Sequence, residues 1–169
     1  MPNWCFNTVQ FTGKKKNLEN LNKLLHKTIY IQEKTRFGQI LHSLEDSIDG
    51  YMFNICNVEC DGYYLSFNFD SRWSPIPNDI VRIAELFNLE FTYDYEESGM
   101  ALYGKYTFEI IDGESYLSEQ VASDADIESS KIYDESGEEE SLDYEKLEAC
   151  IESNEMFSQS ITRLEDIAT

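Results

Sequence analysis

Two periodicities divide this chain. Apolar residues recur at every second position in several stretches and at helical spacing in others, and together these predict a mixed α+β fold. Residues 4–12 (Trp-Cys-Phe-Asn-Thr-Val-Gln-Phe-Thr) read as a first strand, broken by Gly13 and the lysines at 14–16. Asn17 is the expected cap of a helix to about Lys27, with Leu18, Leu21, Leu24 and Leu25 on one stripe. Phe37, Ile40, Leu41 and Leu44 have helical spacing and predict a short second helix before Asp49-Gly50.

From Tyr51 the alternation is cleaner. Residues 51–59 form a strand candidate, and Asp61-Gly62 has hairpin-turn chemistry. Residues 63–71 place Tyr63, Leu65, Phe67 and Phe69 on one face, with Tyr64, Ser66, Asn68 and Asp70 on the other. Pro75 and Pro77 stop that strand, and Asn78 or Asp79 begins a helix turning Ile80, Ile83, Ala84 and Phe87 inward. In 89–96, Leu89, Phe91, Tyr93 and Tyr95 alternate with polar residues. After Ser98-Gly99, Met100, Leu102, Tyr106, Phe108 and Ile110 face one way, and Tyr103, Lys105, Thr107 and Glu109 the other. Strands of this kind make an antiparallel sheet with one buried and one wet face.

The order strand, helix, hairpin, helix, strand is the split βαβ pattern of a ferredoxin-like sandwich, with both helices on one face. The name describes topology only. Residues 1–112 are assigned to this domain and residues 113–169 to an acidic C-terminal extension. Within the extension, 115–132 and 134–141 are rich in Ser, Asp and Glu and read as linker or mobile loop. Leu142, Tyr144, Leu147, Ala149 and Ile151 suit a helix, with Ser141 as its expected cap and Glu145 nearby. Met156, Phe157, Ile161, Leu164 and Ile167 add a further apolar set, so one or two helices are expected.

Charge sharpens this division. The net charge is −20. Residues 1–111 carry 10 basic and 15 acidic residues, and residues 112–169 carry 3 basic and 18 acidic. A surface of that sign repels phosphate backbones and attracts basic ones. Direct nucleic-acid binding is therefore not expected. Candidate RNA contacts on the wet face are also poor, because one lysine, Lys105, stands among several carboxylates. Glu138, Glu139, Glu140 and Asp143 are the candidate partner-binding residues of the extension.

No apolar run approaches the ~18 residues of a membrane span, and the N-terminus lacks the basic start and apolar run of an export signal. A cytoplasmic protein of a bacterial host is expected. The four cysteines, at 5, 56, 60 and 150, then read as reduced, small buried thiols. Cys56 and Cys60 would share a strand face, yet their spacing is not that of a zinc knuckle. Neither a metal nor a cofactor is expected. The phosphate-loop, zinc-protease and nucleophile-elbow motifs are absent from the sequence, and no catalytic residue is assigned. Pro2 would offer a secondary amine only after removal of Met1.

Two segments carry a family resemblance. The opening Met-Pro-Asn-Trp-Cys-Phe-Asn (1–7) resembles the start of a family of phage- and plasmid-encoded proteins with a ferredoxin-like domain, the Api92-like proteins. Phe-Asn-Phe-Asp-Ser-Arg-Trp-Ser-Pro (67–75) is similar to that family's Phe-x-Thr-x-Trp-Ser-Pro-Pro segment, and Tyr-Glu-Glu-Ser-Gly (95–99) to its Tyr-x-Glu-x-Gly. Residues 54–58 stand where the family usually has Trp-Gly-x-Lys, and Ile76 where a second proline is common. The resemblance implies the fold and a mobile-element origin, but no activity. Trp4 and Trp73 read first as packing residues.

Three classes of function follow as expectations. The first is a non-enzymatic accessory protein that binds a host protein with a basic surface, in its sharpest form an anti-defence inhibitor whose carboxylates mimic DNA phosphates. The second is a binder of a small ligand such as a nucleotide, or an enzyme, using Trp73, Ser74, Tyr95 and Glu96. The third is a structural or assembly module.

Overall fold

The structure is a computed structural model that describes residues 3–32 and 52–161. Its elements are β1 (Trp4–Gly13), α1 (Lys15–Gln32), β2 (Phe53–Cys60), β3 (Tyr64–Arg72), α2 (Pro77–Phe87), β4 (Leu89–Glu97), β5 (Leu102–Ile111), β6 (Glu114–Val121), α3 (Asp124–Ser129), β7 (Lys131–Tyr133), β8 (Glu139–Leu142), α4 (Tyr144–Ser153) and β9 (Phe157–Ile161). Seven strands form one sheet in the order β2-β3-β1-β4-β5-β6-β9, and every neighbouring pair is antiparallel. The first four in that order, β2-β3-β1-β4, with α1 and α2, are the ferredoxin-like unit predicted from the alternation.

Its core lies where the inward positions of β1, β3 and β4 meet the two helices. Val9, Phe11, Leu65, Phe67, Phe91 and Tyr93 are buried against Leu18, Leu21, Leu25, Ile80, Ile83 and Ala84. Aromatic rings run across this layer: Phe11 stacks on Phe67 at 6.2 Å, and Phe91 stacks on Phe108 at 5.4 Å. Such pairs add about 0.5–1.5 kcal/mol each beyond area burial.

Several local expectations change. Asn17 lies inside the first turn of α1, where Nδ2 donates to Asn88 O at 3.5 Å instead of capping. The helix continues past Lys27 to Gln32, with Ile29 packed on the core. Tyr63, assigned to the buried face of β3, sits in the turn and is 84% exposed. There Asp61 Oδ1 accepts from Tyr63 N and Tyr64 N at 2.8 and 3.1 Å, and Gly62 supplies a φ of +91°. The expected helix around Phe37–Leu44 lies outside the described residues.

Strand β2 departs most from regular alternation. Asn54 and Asn57 have φ of 53° and 51°, and the β2–β3 register slips around Cys56. The slip puts Ile55, Val58 and Cys60 on the core side, so Cys56 is exposed on the opposite face. The expectation that Cys56 and Cys60 face the same way therefore fails. All four cysteines are free thiols, of which only Cys5 is fully buried; burial pushes its thiol up to about 11, the hydrogen bond to Ser71 opposing the rise.

The C-terminal third contains more order than a linker. Asp112 and Gly113, at φ 53° and 89°, form a tight turn from β5 into β6, and β6 pairs with β5 from Ile111↔Glu114 to Gly104↔Val121. The sheet thus runs unbroken across residues 112 and 113. Ser123 and Asp126 close a capping box at α3. Asp143, not Ser141, caps α4 by accepting from Lys146 N at 3.1 Å. Residues 157–161, grouped with a helical set from sequence, form β9 against β6. The strand β6 escaped detection because serine and glutamine fill its covered positions: Ser115, Ser118 and Gln120 are all buried.

These elements cover part of the face expected to be wet. Tyr103, placed there by alternation, is 5% exposed because Ile127 of α3 and Leu147 and Ile151 of α4 pack over it. Gln120 Nε2 donates to Glu152 O and Asn154 O at 3.1 and 3.2 Å, and Asn154 Nδ2 donates to Val121 O and Asp126 Oδ2, both at 2.9 Å. So α1 and α2 lie on one face, while α3 and α4 cover the β5–β6 end of the other.

A buried polar network ties the ferredoxin-like strands together. Asn7 Nδ2 donates to Cys5 O, Phe69 O and Ser71 Oγ at 2.7, 3.2 and 3.0 Å. Its Oδ1 accepts from Tyr93 OH at 2.6 Å, and that same phenol oxygen accepts from Ile76 N at 3.0 Å. Ser71 Oγ donates to Ser74 O at 2.7 Å. We expect Asn7→Ala and Tyr93→Phe each to lower stability by about 1–3 kcal/mol, since each leaves buried polar groups without partners. The double variant should cost less than the two added, because the sites share a bond. Urea unfolding of the four proteins measures this.

Candidate functional site

Strand register brings the open half of the second face into two rows. Phe6 is opposite Asp70 on β3 and Glu96 on β4, and Glu96 is opposite Tyr103 on β5. One step along, Thr8 lies between Asn68 and Asp94, and Asp94 is opposite Lys105. Because side chains alternate, burying Cys5, Asn7 and Val9 turns Phe6 and Thr8 outward. Phe6 is 51% exposed, a large apolar side chain between two carboxylates.

Helix α4 makes the wall. Tyr144, Glu148 and Glu152 recur at four-residue spacing along one side, while Leu147 and Ile151 bind it to the sheet. Between this wall and β2 lies a groove of about 590 Å³. Its floor and rim include Phe6, Thr8, Cys56, Asn68, Tyr103 and Tyr144, with the carboxylates of Asp70, Asp94, Glu96, Glu148 and Glu152. The one cation in its lining among the described residues, Lys105, reaches Glu152 Oε1 at 3.3 Å. Asp70 Oδ2 accepts from Asn54 Nδ2 at 2.7 Å, so the bulge in β2 helps hold that carboxylate.

This charge is held against solvation. The groove removes part of the hydration of Asp94 and Glu96. Desolvation raises the Asp94 carboxyl first; Lys105 opposes that rise, and the charges of Glu148 and Glu152 add to it. Glu96 is raised by desolvation alone. Carboxyls raised by burial on the floor of a cleft mark a functional candidate.

The earlier site residues separate. Glu96 enters the groove, but Tyr95 points through the sheet, where its hydroxyl donates to Glu119 Oε1 at 3.2 Å and its ring stacks on Tyr106 at 5.4 Å. Trp73, at φ 68° and half exposed, stands on the β3–α2 loop, held by its N–H donating to Asn3 O at 3.0 Å. Ser74 contributes its carbonyl to the core network through Ser71. Tyr95 and Glu96 both contribute to the groove lining, although their side chains point to opposite faces of β4, whereas Trp73 and Ser74 do not line it. In the extension, Asp143 caps α4, and Glu138 is exposed beside a turn in which Asp134 Oδ1 accepts from Ser136 N and Glu138 N. Glu139 and Glu140 belong to β8, whose Ser141 and Leu142 pair with Ile132 and Lys131. Neither Glu138 nor Asp143 lines the groove.

Sequence reading missed Phe6, Tyr144 and Glu148 as groove residues. The alternation of β1 turns Phe6 outward, which was a usable signal. Nothing local to α4 shows that its helix lies across a strand that precedes it by some forty positions. Among the described residues no cluster could hold a metal ion, and no helix is long and apolar enough to cross a membrane.

Residues 50–159 match the family model for the ferredoxin-like domain in Api92-like protein. The chain belongs to that family. The match crosses the 112/113 division and includes β6, α3 and α4, so the groove wall lies within the family domain. The β1 side of the groove lies N-terminal to the matched residues. No curated protein and no solved structure matches the chain.

The raised carboxyl at Glu96 has a testable consequence. Its charged form destabilises the fold above the folded pKa, and the penalty vanishes once the group is protonated in both states, below the free value of 4.5. Glu96→Gln should therefore raise the urea midpoint at pH 7, with the gain fading as pH falls below that value. An equal gain at pH 7 and pH 3 would show that charge is not the cause.

Proposed function

We propose that this Api92-like protein acts without catalysis, by binding a basic segment of a host protein in the acidic groove. The observation that carries this reading is the row Asp70–Phe6–Glu96, in which an exposed aromatic ring sits between carboxylates on a rigid sheet. Such a surface suits a lysine or arginine side chain, whose aliphatic stem covers the ring while its head meets the carboxylates. The partner class is a host nucleic-acid-processing protein, with the groove carboxylates taking the place of DNA phosphates. The overall charge of −20 supports this by steering basic surfaces inward and repelling nucleic acid. The mobile-element origin implied by the opening motif fits a host target.

A fluorescein-labelled decalysine peptide should bind the full chain at 20 mM salt and weaken by about tenfold or more at 300 mM, as screened charges require. Asp94→Lys should weaken it at low salt, and a labelled DNA duplex should not bind at all. Fluorescence anisotropy reads all three. Absence of peptide binding at 20 mM salt would defeat the proposal.

A further inference from the structure

The groove floor is the face of a sheet, not its edge. Its central strands, β3, β1 and β4, are each hydrogen-bonded on both sides, β3 to β2 and β1, β1 to β3 and β4, and β4 to β1 and β5. No ladder of backbone donors and acceptors remains there for a ligand. An extended peptide laid on this floor would lose water from its own N–H and C=O groups without replacement. A helix satisfies its backbone internally and needs only side-chain contacts.

Dimensions agree. The open floor spans β4, β1, β3 and β2, three strand spacings of about 4.8 Å, or roughly 14 Å in all. A helix with its side chains is about 10–12 Å across. Charge completes the match: Phe6, about half exposed, is flanked by Asp70 on β3 and by Glu96 on β4, with Asp94 beside Glu96 and with Glu148 and the half-exposed Tyr144 on the α4 wall beyond them.

Resting on the proposed binding of a basic segment, we infer that the occupant is a basic amphipathic α-helix lying beside α4. Its apolar stripe meets Phe6, and lysines or arginines flanking the stripe meet Asp70 on one side and Asp94, Glu96 and Glu148 on the other. Helices of this kind are what helix-turn-helix proteins set into the DNA major groove, itself about 12 Å wide and bordered by negative charge. The acidic groove is a comparable seat.

The test uses the full chain and three labelled 18-residue probes: two of identical Leu/Lys composition, one with helical period and one strictly alternating, and a third with helical period and a central proline replacing a lysine. The helical probe should bind at least about tenfold more tightly than the other two, a difference of about 1.4 kcal/mol, and should gain helical circular dichroism on binding. Glu96→Lys combined with Glu148→Lys should abolish that preference, as should Thr8→Arg, which places a cation on the floor beside Asp94 without replacing any carboxylate. Equal binding of the alternating probe overturns the helix while leaving the acidic-groove reading intact. Binding of no probe, or binding unchanged in both variants, overturns that reading as well. Self-association seen by light scattering and relieved by Thr8→Arg would instead make a second copy the occupant and overturn the inference.

Discussion

The hydrogen bond from Tyr93 OH to Asn7 Oδ1, 2.6 Å long and buried among aromatic rings, is the constraint on which the rest depends. A carboxamide in such a place is tolerated only when its donors and acceptor are met. Meeting them requires β3 at Phe69 and Ser71, β4 at Tyr93, and β1 itself at Cys5, all in one register. A slip of one residue in β1 would turn the amide to solvent and Phe6 into the core. The same bond therefore sets two surfaces: it closes the interior and presents Phe6 and Thr8 to the groove. The Tyr93 oxygen also receives Ile76 N, which anchors the loop entering α2.

This reassigns the residues that carry the family resemblance. Cys5, Asn7, Ser71 and Ser74 sit in or beside the network and act on the fold. Trp4 packs edge-on against Phe53 at 5.1 Å, with the Arg72 guanidinium 4.9 Å from the centre of the same ring. Glu97, in the Tyr-Glu-Glu-Ser-Gly segment, is buried and accepts from Gly99 N and Met100 N at 3.2 and 2.5 Å, fixing the turn into β5. Motif residues in this chain chiefly hold strand ends and turns. Chemistry that faces outward comes from the positions between them, Phe6, Asp70 and Glu96.

That distinction explains what could be read in advance. Alternation at 89–96 located β4 residue for residue, because a half-buried strand writes its faces into the sequence. The ferredoxin-like order followed from such local patterns. What alternation could not reveal was coverage of the second face. Tyr103 looks wet by period alone, and only tertiary contact with Leu147 and Ile151 buries it. Strand β6 was hidden for a related reason: Ser115, Ser118 and Gln120 meet neighbours by size and hydrogen bonding, so they read as linker. In β2, two asparagines at positive φ shifted parity and sent Cys56 to the groove side. The groove was thus legible in its carboxylates on β3 and β4, and illegible in its wall.

On the proposed reading, the wall also decides which part of the acidic extension matters for recognition. Exposed carboxylates on the Asp134–Glu138 turn are well hydrated, and several are engaged in their own backbone: Asp134 is held below its usual value by hydrogen bonds from Ser136 and from the Glu138 and Gly137 backbone. Charges in that setting contribute attraction over distance but little selectivity, because water and salt screen them. Glu148 and Glu152 differ, since α4 holds them near Asp94 and their charges push its carboxyl up. Like charges brought together at the edge of an apolar floor stabilise nothing by themselves; a cation placed between them relieves both the repulsion and the lost hydration. Lys105, opposite Asp94 and 3.3 Å from Glu152, supplies part of that relief, and on the proposed reading a basic side chain of the partner supplies more, at a wall that exists only because the extension folds back onto the sheet.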